Sequence, residues 1–221
     1  MKRRGSKLKS SVIEESTPYY KIILIGESAV GKTQFMRRLN GENFEERYSP
    51  TYGLDFRVKS NFTEKGKLLN EVQILDIAGD SEDIDEEIKN SFIEDADAFL
   101  CLFNLAEQPS LDRVIKKTEE FKRKIGNNLD RKKWYLVGSK KDLDLKREGV
   151  PNYLKAKFDS YFEISSKESK NEEFQAIIDK ITMELKMSEP NDNEDEDSND
   201  DFEVDFMKNH KDLFDEECII F

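Results

Sequence analysis

Residues 26–33 of this 221-residue chain read GESAVGKT, and they directly follow the apolar run YYKIILI at residues 19–25. The pattern G-x-x-x-x-G-K-T between a strand and a helix is typical of a loop that binds phosphate groups. Gly26 and Gly31 allow the backbone to turn its N–H groups inward, so that amide dipoles face a polyphosphate. A helix that starts near Lys32 adds the positive end of its dipole at the same point.

Side chains of the same loop add charge and a metal ligand. Lys32 offers a flexible point charge to the β- and γ-phosphates of a nucleotide, and Thr33 offers a hydroxyl to Mg²⁺. These residues could instead form an ordinary strand, turn and helix that binds no ligand. Motifs elsewhere in the chain distinguish a phosphate-binding loop from this alternative. The residues predicted to surround the phosphates are Glu27, Ser28, Ala29, Val30, Gly31, Lys32, Thr33 and Gln34.

The composition narrows the class of protein. No apolar stretch approaches the ~20 residues of a membrane span, and no signal-peptide core follows the basic residues at the N-terminus. Cys101 lies inside an apolar run, and the other cysteine, Cys218, is fourth from the last residue. We therefore expect no disulfide and a reducing, cytosolic environment.

The formal net charge of −12 is unevenly distributed along the chain. Residues 1–17 carry five basic and two acidic side chains, whereas residues 188–221 carry two basic and fourteen acidic ones. The part between them is close to neutral, so we expect no nucleic-acid partner. We predict a basic N-terminal extension at 1–18, a folded domain at 19–187, and a disordered acidic tail at 188–221.

Strand-like and helix-like patterns alternate through the folded part. A mostly parallel, six-stranded sheet with one hairpin and with helices on both faces follows from this alternation, and such sheets bind ligands at the carboxyl ends of their strands. Ser110 is expected to cap its helix. The predicted strands are 20–25, 54–62, 72–77, 98–105, 134–138 and 161–164; a turn lies at 64–67, and the predicted helices are 32–39, 110–125 and 172–187.

Four further segments fall at predicted strand ends, and together with the phosphate loop they carry a resemblance. They read YSPTYG at 48–53, DIAGD at 76–80, SKKD at 139–142 and EISSK at 163–167. In these motifs residues 19–187 resemble the Ras-like small GTPases, whose fold is that of a P-loop NTPase. The resemblance implies a switch that binds GTP or GDP together with Mg²⁺.

The resemblance assigns roles around the phosphates and the metal ion. Thr33 and Thr51 would give hydroxyls to Mg²⁺, and Asp76 would hold the ion through water. Thr51 and Gly79 would also offer backbone N–H groups to the γ-phosphate, so their loops would be ordered by GTP. Each residue has an ordinary alternative when taken singly, such as a turn residue for Thr51.

Other positions would surround the guanine base. Lys140 would lie along the base, and Asp142 would accept hydrogen bonds from guanine N1–H and N2–H₂, a donor pair that adenine lacks. Asp142 could instead be a helix cap, and Lys167 a solvated lysine. The residues that the resemblance places at the base are Phe44, Ser139, Lys140, Asp142, Ser165, Ser166 and Lys167.

Two departures from the family pattern concern the chemistry. Asp80 stands where the family has a glutamine that orients water, and a carboxylate beside an anionic phosphate predicts slow hydrolysis by a catalytic set of Lys32, Gly79 and Asp80. The alternative is that Asp80 points to solvent. Ser139 replaces an asparagine, and its shorter side chain predicts a missing link to the phosphate loop and weaker nucleotide binding.

Two of the motifs indicate which branch of the Ras-like small GTPases the chain resembles. GESAVGK and the YGLDF at 52–56 look most like the Rab branch, although Leu75 and Tyr52 depart from it.

Residues 218–221 fit the C-a-a-X pattern, and a terminal Phe favours geranylgeranylation of Cys218. The acidic residues before it should be repelled from an anionic leaflet, unless the basic N-terminus neutralises them.

The functional hypothesis is thus a monomeric guanine-nucleotide switch at the cytoplasmic face of a membrane, with a cytosolic pool. Its partners would be effectors, an exchange factor and an activating protein. The alternatives are a hydrolysis-impaired scaffold that rests with GTP bound and, less in keeping with Asp142, a P-loop kinase or ATPase.

Overall fold

The computed structural model describes residues 17–51, 53–62, 66–77, 85–143 and 149–188. Within them a single six-stranded sheet is flanked by helices, and a short 3-10 helix, Gly126–Arg131, precedes the fifth strand. The strands are β1 Tyr19–Ile25, β2 Leu54–Phe62, β3 Leu68–Ile77, β4 Ala98–Asn104, β5 Lys133–Ser139 and β6 Ser160–Glu163. The helices are α1 Lys32–Leu39, α2 Glu86–Asp95, α3 Gln108–Ile125, α4 Asn152–Lys155 and α5 Asn171–Ser188.

The strand order is β2-β3-β1-β4-β5-β6, and only the β2–β3 pair is antiparallel. All other neighbours run parallel, with Leu24 opposite Asp76 on one side and opposite Leu100 on the other. The predicted α/β fold is therefore confirmed. Because β1 lies in the middle, the loop that follows it emerges between the carboxyl ends of β3 and β4, where ligands bind in such sheets.

Two hydrophobic clusters cover the two faces of the sheet. Strands β1, β4 and β5 contribute to both, because their side chains alternate between faces and nearly all of them are apolar. On one face α1 and α5 pack through Phe35 and Phe174, whose ring centroids lie 5.2 Å apart. On the other face Phe99 stacks on Trp134 with centroids 4.3 Å apart, beneath α3.

Several local predictions differ from the structure. Helix α3 begins at Gln108 with Pro109 in its first turn, so Ser110 is not its cap. The Ser110 hydroxyl instead accepts a hydrogen bond from the Asn104 N–H at 3.0 Å. Strand β3 begins at Leu68, four residues before the predicted start. Residues 64 and 65 of the turn predicted at 64–67 lie outside the described residues.

Two helices are absent from the sequence-based prediction. Helix α2 begins after Asp85, whose carboxylate accepts a hydrogen bond from the Glu87 N–H at 2.8 Å, and Ile93 on it is buried against the sheet. Helix α4 is a single turn that follows Pro151. No described helix is long and apolar enough to cross a membrane.

Candidate nucleotide site

The phosphate loop needs glycine at two positions. A Cβ on Gly26 would come within 2.6 Å of the Leu102 carbonyl oxygen, on the neighbouring strand. Gly31 has a φ of 106°, which side chains with a Cβ rarely tolerate. Ala29 also has a positive φ, of 60°, and strained residues of this kind cluster at functional sites. The loop therefore has strained backbone dihedral angles of the kind found at ligand-binding sites.

Helix α1 presents an uncapped N-terminus to this loop. Gly31 precedes the helix and gives no side-chain cap, and the first turn contains no acidic residue. Its N–H groups and the helix dipole are therefore available to an anion. Lys32 is buried in the loop, and its ammonium donates hydrogen bonds to the carbonyl oxygens of Gly26 at 3.2 Å and Glu27 at 2.9 Å.

Three oxygen-bearing side chains from distant parts of the chain meet beside the loop. The Thr33 hydroxyl lies 2.7 Å from the Thr51 hydroxyl and donates to Asp76 Oδ2 at 2.5 Å. Asp76 is fully buried, and its Oδ1 has no hydrogen-bond partner among the described residues. Burial raises the pKa of Asp76, while the nearby Lys32 acts in the opposite direction.

This cluster fits a Mg²⁺ ion. Hydroxyl and carboxylate oxygens are the hard ligands that Mg²⁺ prefers, and a buried carboxylate oxygen without a partner is costly unless a cation or water satisfies it. The ion needs only a few protein ligands when phosphates supply the others. The three residues predicted as metal ligands, Thr33, Thr51 and Asp76, are thus the three that converge here.

Residues after β5 and β6 form the second half of the site. The Ser165 hydroxyl donates to Asp142 Oδ1 at 2.7 Å and accepts from the N–H groups of Lys167 and Glu168. The Lys141 N–H bonds to the Ile164 carbonyl at 3.2 Å, so the two loops are tied together. Lys140 has a φ of 60°, a further strained residue at the site.

The expectation that Ser139 leaves the phosphate loop unlinked is wrong. Its buried hydroxyl lies 2.6 Å from the Val30 carbonyl oxygen and 2.8 Å from the Phe103 carbonyl oxygen, and its single hydrogen is shared between these two acceptors. A serine is long enough because β5 lies close to the loop. A Cβ added to Gly31 would be only 3.8 Å from the Cβ of Ser139. The connection from the base side to the phosphate loop therefore exists with the shorter side chain.

The segment after α1 approaches the base side of the site. Phe44 is half-buried within it, and Glu46 forms a 3.8 Å ion pair with Lys167. The Gln34 side-chain amide exchanges two hydrogen bonds with the backbone of Glu45, at 3.1 and 3.2 Å. Gln34 therefore positions this segment through its side chain.

Two residues near the site, Tyr48 and Arg113, are missing from the sequence-based prediction. Tyr48 places its hydroxyl 2.6 Å from the Ser28 hydroxyl, which joins the Thr51 segment to the phosphate loop. Arg113 on α3 forms ion pairs with Glu27 and Glu107, and a cleft of about 380 Å³ lies between the loop and this arginine. No sequence signal marks Arg113, because its partner Glu27 lies 86 residues away.

Three predicted functional residues lie outside the described residues. They are Gly79 and Asp80, which follow β3, and Cys218 near the C-terminus. Ser166, which is half-buried, lies in the described loop between Ser165 and Lys167. The roles assigned to all the site residues stay predictions until a ligand is bound and measured.

Fold and site together define a P-loop nucleotide-binding protein of the small-GTPase type. A sequence profile of the Ras family matches residues 21–184. The chain therefore belongs to the Ras family, and it is a Rab-like small GTPase, a GTP-binding molecular switch of signalling or vesicle traffic.

Curated relatives resemble the chain over most of its length. It is 29% identical over 177 residues to the Ras-related protein Rab-1A of Dictyostelium discoideum. The aligned region is 77% of this chain and 84% of that protein. RabC of the same organism is 27% identical over 178 residues, with coverage of 76% and 87%. RABD2a of Arabidopsis thaliana is 29% identical over 158 residues, with coverage of 70% and 74%.

Proposed function

We propose that the described site binds GTP and GDP with Mg²⁺, and that the chain is a membrane-anchored switch with slow intrinsic hydrolysis. The observation that carries this proposal is the convergence of Thr51 on Thr33 and Asp76. Thr51 belongs to a long connection between α1 and β2, whereas Thr33 and Asp76 sit on regular elements. A ligand that engages all three would therefore set the position of this connection.

The base is recognised by Asp142. Its carboxylate accepts the N1–H and N2–H₂ donors of guanine, and the Ser165 hydroxyl orients it from behind. Adenine offers no such pair of donors, so this half-buried carboxylate would lose its hydrogen bonds to the base. The stem of Lys140 and the ring of Phe44 provide apolar faces for the base.

The phosphates are held by the loop and by Lys32. The ammonium now bonds to two loop carbonyls, and it exchanges them for β- and γ-phosphate oxygens when a nucleotide binds. Bound Mg²⁺, held by Thr33, Thr51 and Asp76, would neutralise phosphate charge. Arg113 holds Glu27 by an ion pair, which keeps that carboxylate turned toward α3.

Effectors would recognise the GTP state through the Thr51 connection and the strand after it. Three large side chains are exposed in this region: Tyr48, Phe56 and Val58. Together they form an apolar surface that an effector can contact. When hydrolysis removes the γ-phosphate, Thr51 loses a contact and the surface changes. Exchange factors and activating proteins would act on the same connection.

The central experiment tests base recognition. Asp142→Ala should lower GTP affinity by about 10-fold or more, because hydrogen bonds to a charged group contribute ~1.5–3 kcal/mol each, while ATP affinity stays unchanged. Asp112→Ala on the exposed face of α3 is the matched control and should leave both affinities unchanged. Equal binding of GTP and ATP by the wild-type protein would refute the base assignment.

A second experiment tests hydrolysis. Asp80→Gln should raise the single-turnover rate of GTP hydrolysis, because an amide orients water without adding negative charge beside the γ-phosphate. Equal rates for both proteins would remove the role of Asp80. If the wild-type protein retains GTP over many hours while the variant hydrolyses it, the scaffold alternative gains support.

The membrane anchor is a separate proposal. It depends on geranylgeranylation of Cys218, with a monomeric protein at the cytoplasmic face of a membrane and a cytosolic pool. A single lipid gives reversible membrane binding, which suits a protein that cycles between the two locations. The mass of the protein purified from eukaryotic cells reports the modification directly.

A further inference from the structure

Helix α3 contacts the outer side of the phosphate loop through two cationic side chains. Arg113 and Lys117 are one helical turn apart, so they project from the same face of the helix. The Arg113 guanidinium pairs with the Glu27 carboxylate, and the Lys117 ammonium donates to the Gly26 carbonyl oxygen at 3.4 Å. Gly26 and Glu27 are the first two residues of the loop, so α3 holds the loop at the point where it leaves β1.

The position of α3 itself is set by the sheet. The Ser110 hydroxyl in its first turn accepts a hydrogen bond from the Asn104 N–H at the end of β4, at 3.0 Å. Leu111 and Val114 are buried in the hydrophobic cluster on this face of the sheet. Arg113 therefore reaches the loop from a fixed point of the domain.

Arg113 lies between two carboxylates. Besides Glu27 it pairs with Glu107, the residue that directly precedes α3. The Arg113 side chain is 41% exposed, and a single ion pair at such a position adds little to stability. The three charges therefore matter less for the stability of the domain than for the electrostatic potential at the loop.

Glu27 brings a negative charge to a loop that we propose binds phosphates. Its carbonyl oxygen accepts a hydrogen bond from Lys32 at 2.9 Å, and Lys32 is the cation that would move to the β- and γ-phosphates. The cleft of about 380 Å³ between the loop and Arg113 leaves room for the Glu27 side chain to turn once it is released. A carboxylate that turns toward the phosphates would repel GTP more than GDP, because GTP carries more negative charge.

We propose that Arg113 is a positioning residue of the nucleotide site. It holds the Glu27 carboxylate on the α3 side of the loop, and it thereby raises the affinity for GTP relative to the affinity for GDP. Lys117 supports the same arrangement, because it stays on the Gly26 carbonyl when Lys32 exchanges that oxygen for phosphate. This inference rests on the function proposed above, since it concerns two nucleotides at the same site.

The first test compares the full chain with Arg113→Gln. Competition with a fluorescent GDP analogue, in the presence of Mg²⁺, gives the Kd of GDP and that of GppNHp, a GTP analogue that resists hydrolysis. In the variant the GppNHp affinity should fall by about twofold or more relative to the GDP affinity at ~0.1 M salt, where the Debye length is ~10 Å. The difference should disappear at ~1 M salt, where the Debye length is ~3 Å. Arg123→Gln, the same change at an exposed position near the other end of α3, should leave the ratio unchanged.

Two double variants distinguish positioning from net charge. Glu27→Gln/Arg113→Gln and Glu107→Gln/Arg113→Gln both keep the net charge of the wild type, but only the first removes the carboxylate of the loop. The first should therefore restore the wild-type ratio, whereas the second should keep the ratio of Arg113→Gln. Thermal unfolding of each protein verifies that the variants are folded.

Two results would overturn the role of Arg113 while guanine-nucleotide binding remains in place. They are an unchanged ratio in Arg113→Gln and an equal rescue by both double variants. A wild-type protein that takes up neither nucleotide with Mg²⁺ would instead overturn the proposed function, and this inference with it.

Discussion

Ser139 illustrates how one side chain couples the two halves of the nucleotide site. Its hydroxyl joins β5, which leads to the base-recognition residues, to the Val30 carbonyl in the phosphate loop. The Phe103 carbonyl on β4 is within reach of the same hydrogen. One buried serine therefore holds three segments whose relative positions fix the distance from phosphates to base.

We predict that Ser139→Ala weakens this coupling. The variant removes the one hydroxyl hydrogen that the two buried carbonyl oxygens share, which should cost about 1 kcal/mol and speed GDP release roughly fivefold. The release rate of a fluorescent GDP analogue measures the effect. Ser60→Ala on β2, which removes a half-buried hydroxyl bonded to Glu71, should leave the rate unchanged. A release rate equal to that of the wild type would show that the serine has no such role.

At the residue scale the sequence indicated part of the site only. The phosphate loop is local in sequence, so its glycines and Lys32 could be read directly from a pattern of eight residues. The Tyr48–Ser28 and Arg113–Glu27 contacts join residues 20 and 86 positions apart. Such contacts depend on the packing of α3 and of the Thr51 connection, which no local pattern encodes.

At the scale of elements, buried amides attach the β2–β3 hairpin to α5. Asn61 on β2 donates to Asn70 Oδ1 on β3 at 2.8 Å and accepts from Gln175 on α5 at 3.1 Å. Lys59 on the same face donates to the Leu39 carbonyl at the end of α1 at 2.8 Å, and burial lowers its pKa. Polar residues of β2 thus face the domain, while Phe56 and Val58 face solvent.

We predict that Asn61→Ala destabilises the domain by about 1–3 kcal/mol, because it leaves the buried Asn70 amide without its partner. Denaturant unfolding measures this loss. Asn61→Ala/Asn70→Ala should cost less than the sum of the two single variants, since the orphaned group is removed as well. Asn152→Ala, on the surface of α4, is the control, and additive losses would argue against the pair.

Helix α2 was not predicted because its own sequence shows only a weak helical pattern. Its N-cap, Asp85, is a recognisable signal, but the helix shows few apolar residues and buries Ile93 only through contact with the sheet. Short helices of low propensity gain their stability from packing. The cap alone was therefore too weak a signal to place this element.

At the scale of the whole molecule, the half-buried carboxylate of Glu184 links α5 to strand β5 through the Tyr135 hydroxyl. Desolvation raises the pKa of Glu184 above its ordinary value of 4.5, against the opposing hydrogen bond from Tyr135 and the nearby Lys180. Burial also raises the pKa of Tyr135. A folded-state pKa above the unfolded one means that the native state binds this proton more tightly.

We predict that Glu184→Gln changes the pH dependence of stability. In the wild type, the contribution of Glu184 decreases as the pH rises from about 4.5 through the raised pKa of the folded state. Glutamine keeps an acceptor for Tyr135 and does not ionise, so the variant should lose this decrease and melt higher at neutral pH. Melting curves between pH 4 and pH 7 measure the difference, and parallel curves for both proteins would contradict it.

The sequence by itself determined the sheet, the phosphate loop and the family, because strand burial and a glycine-flanked loop are encoded in short, local patterns. The tertiary structure alone decided which distant side chains meet. It brought Thr51 to Thr33 and Asp76, and it showed that Ser139 reaches the loop. The physical reason is that such contacts depend on the distances between packed elements, and those distances are set by the whole core.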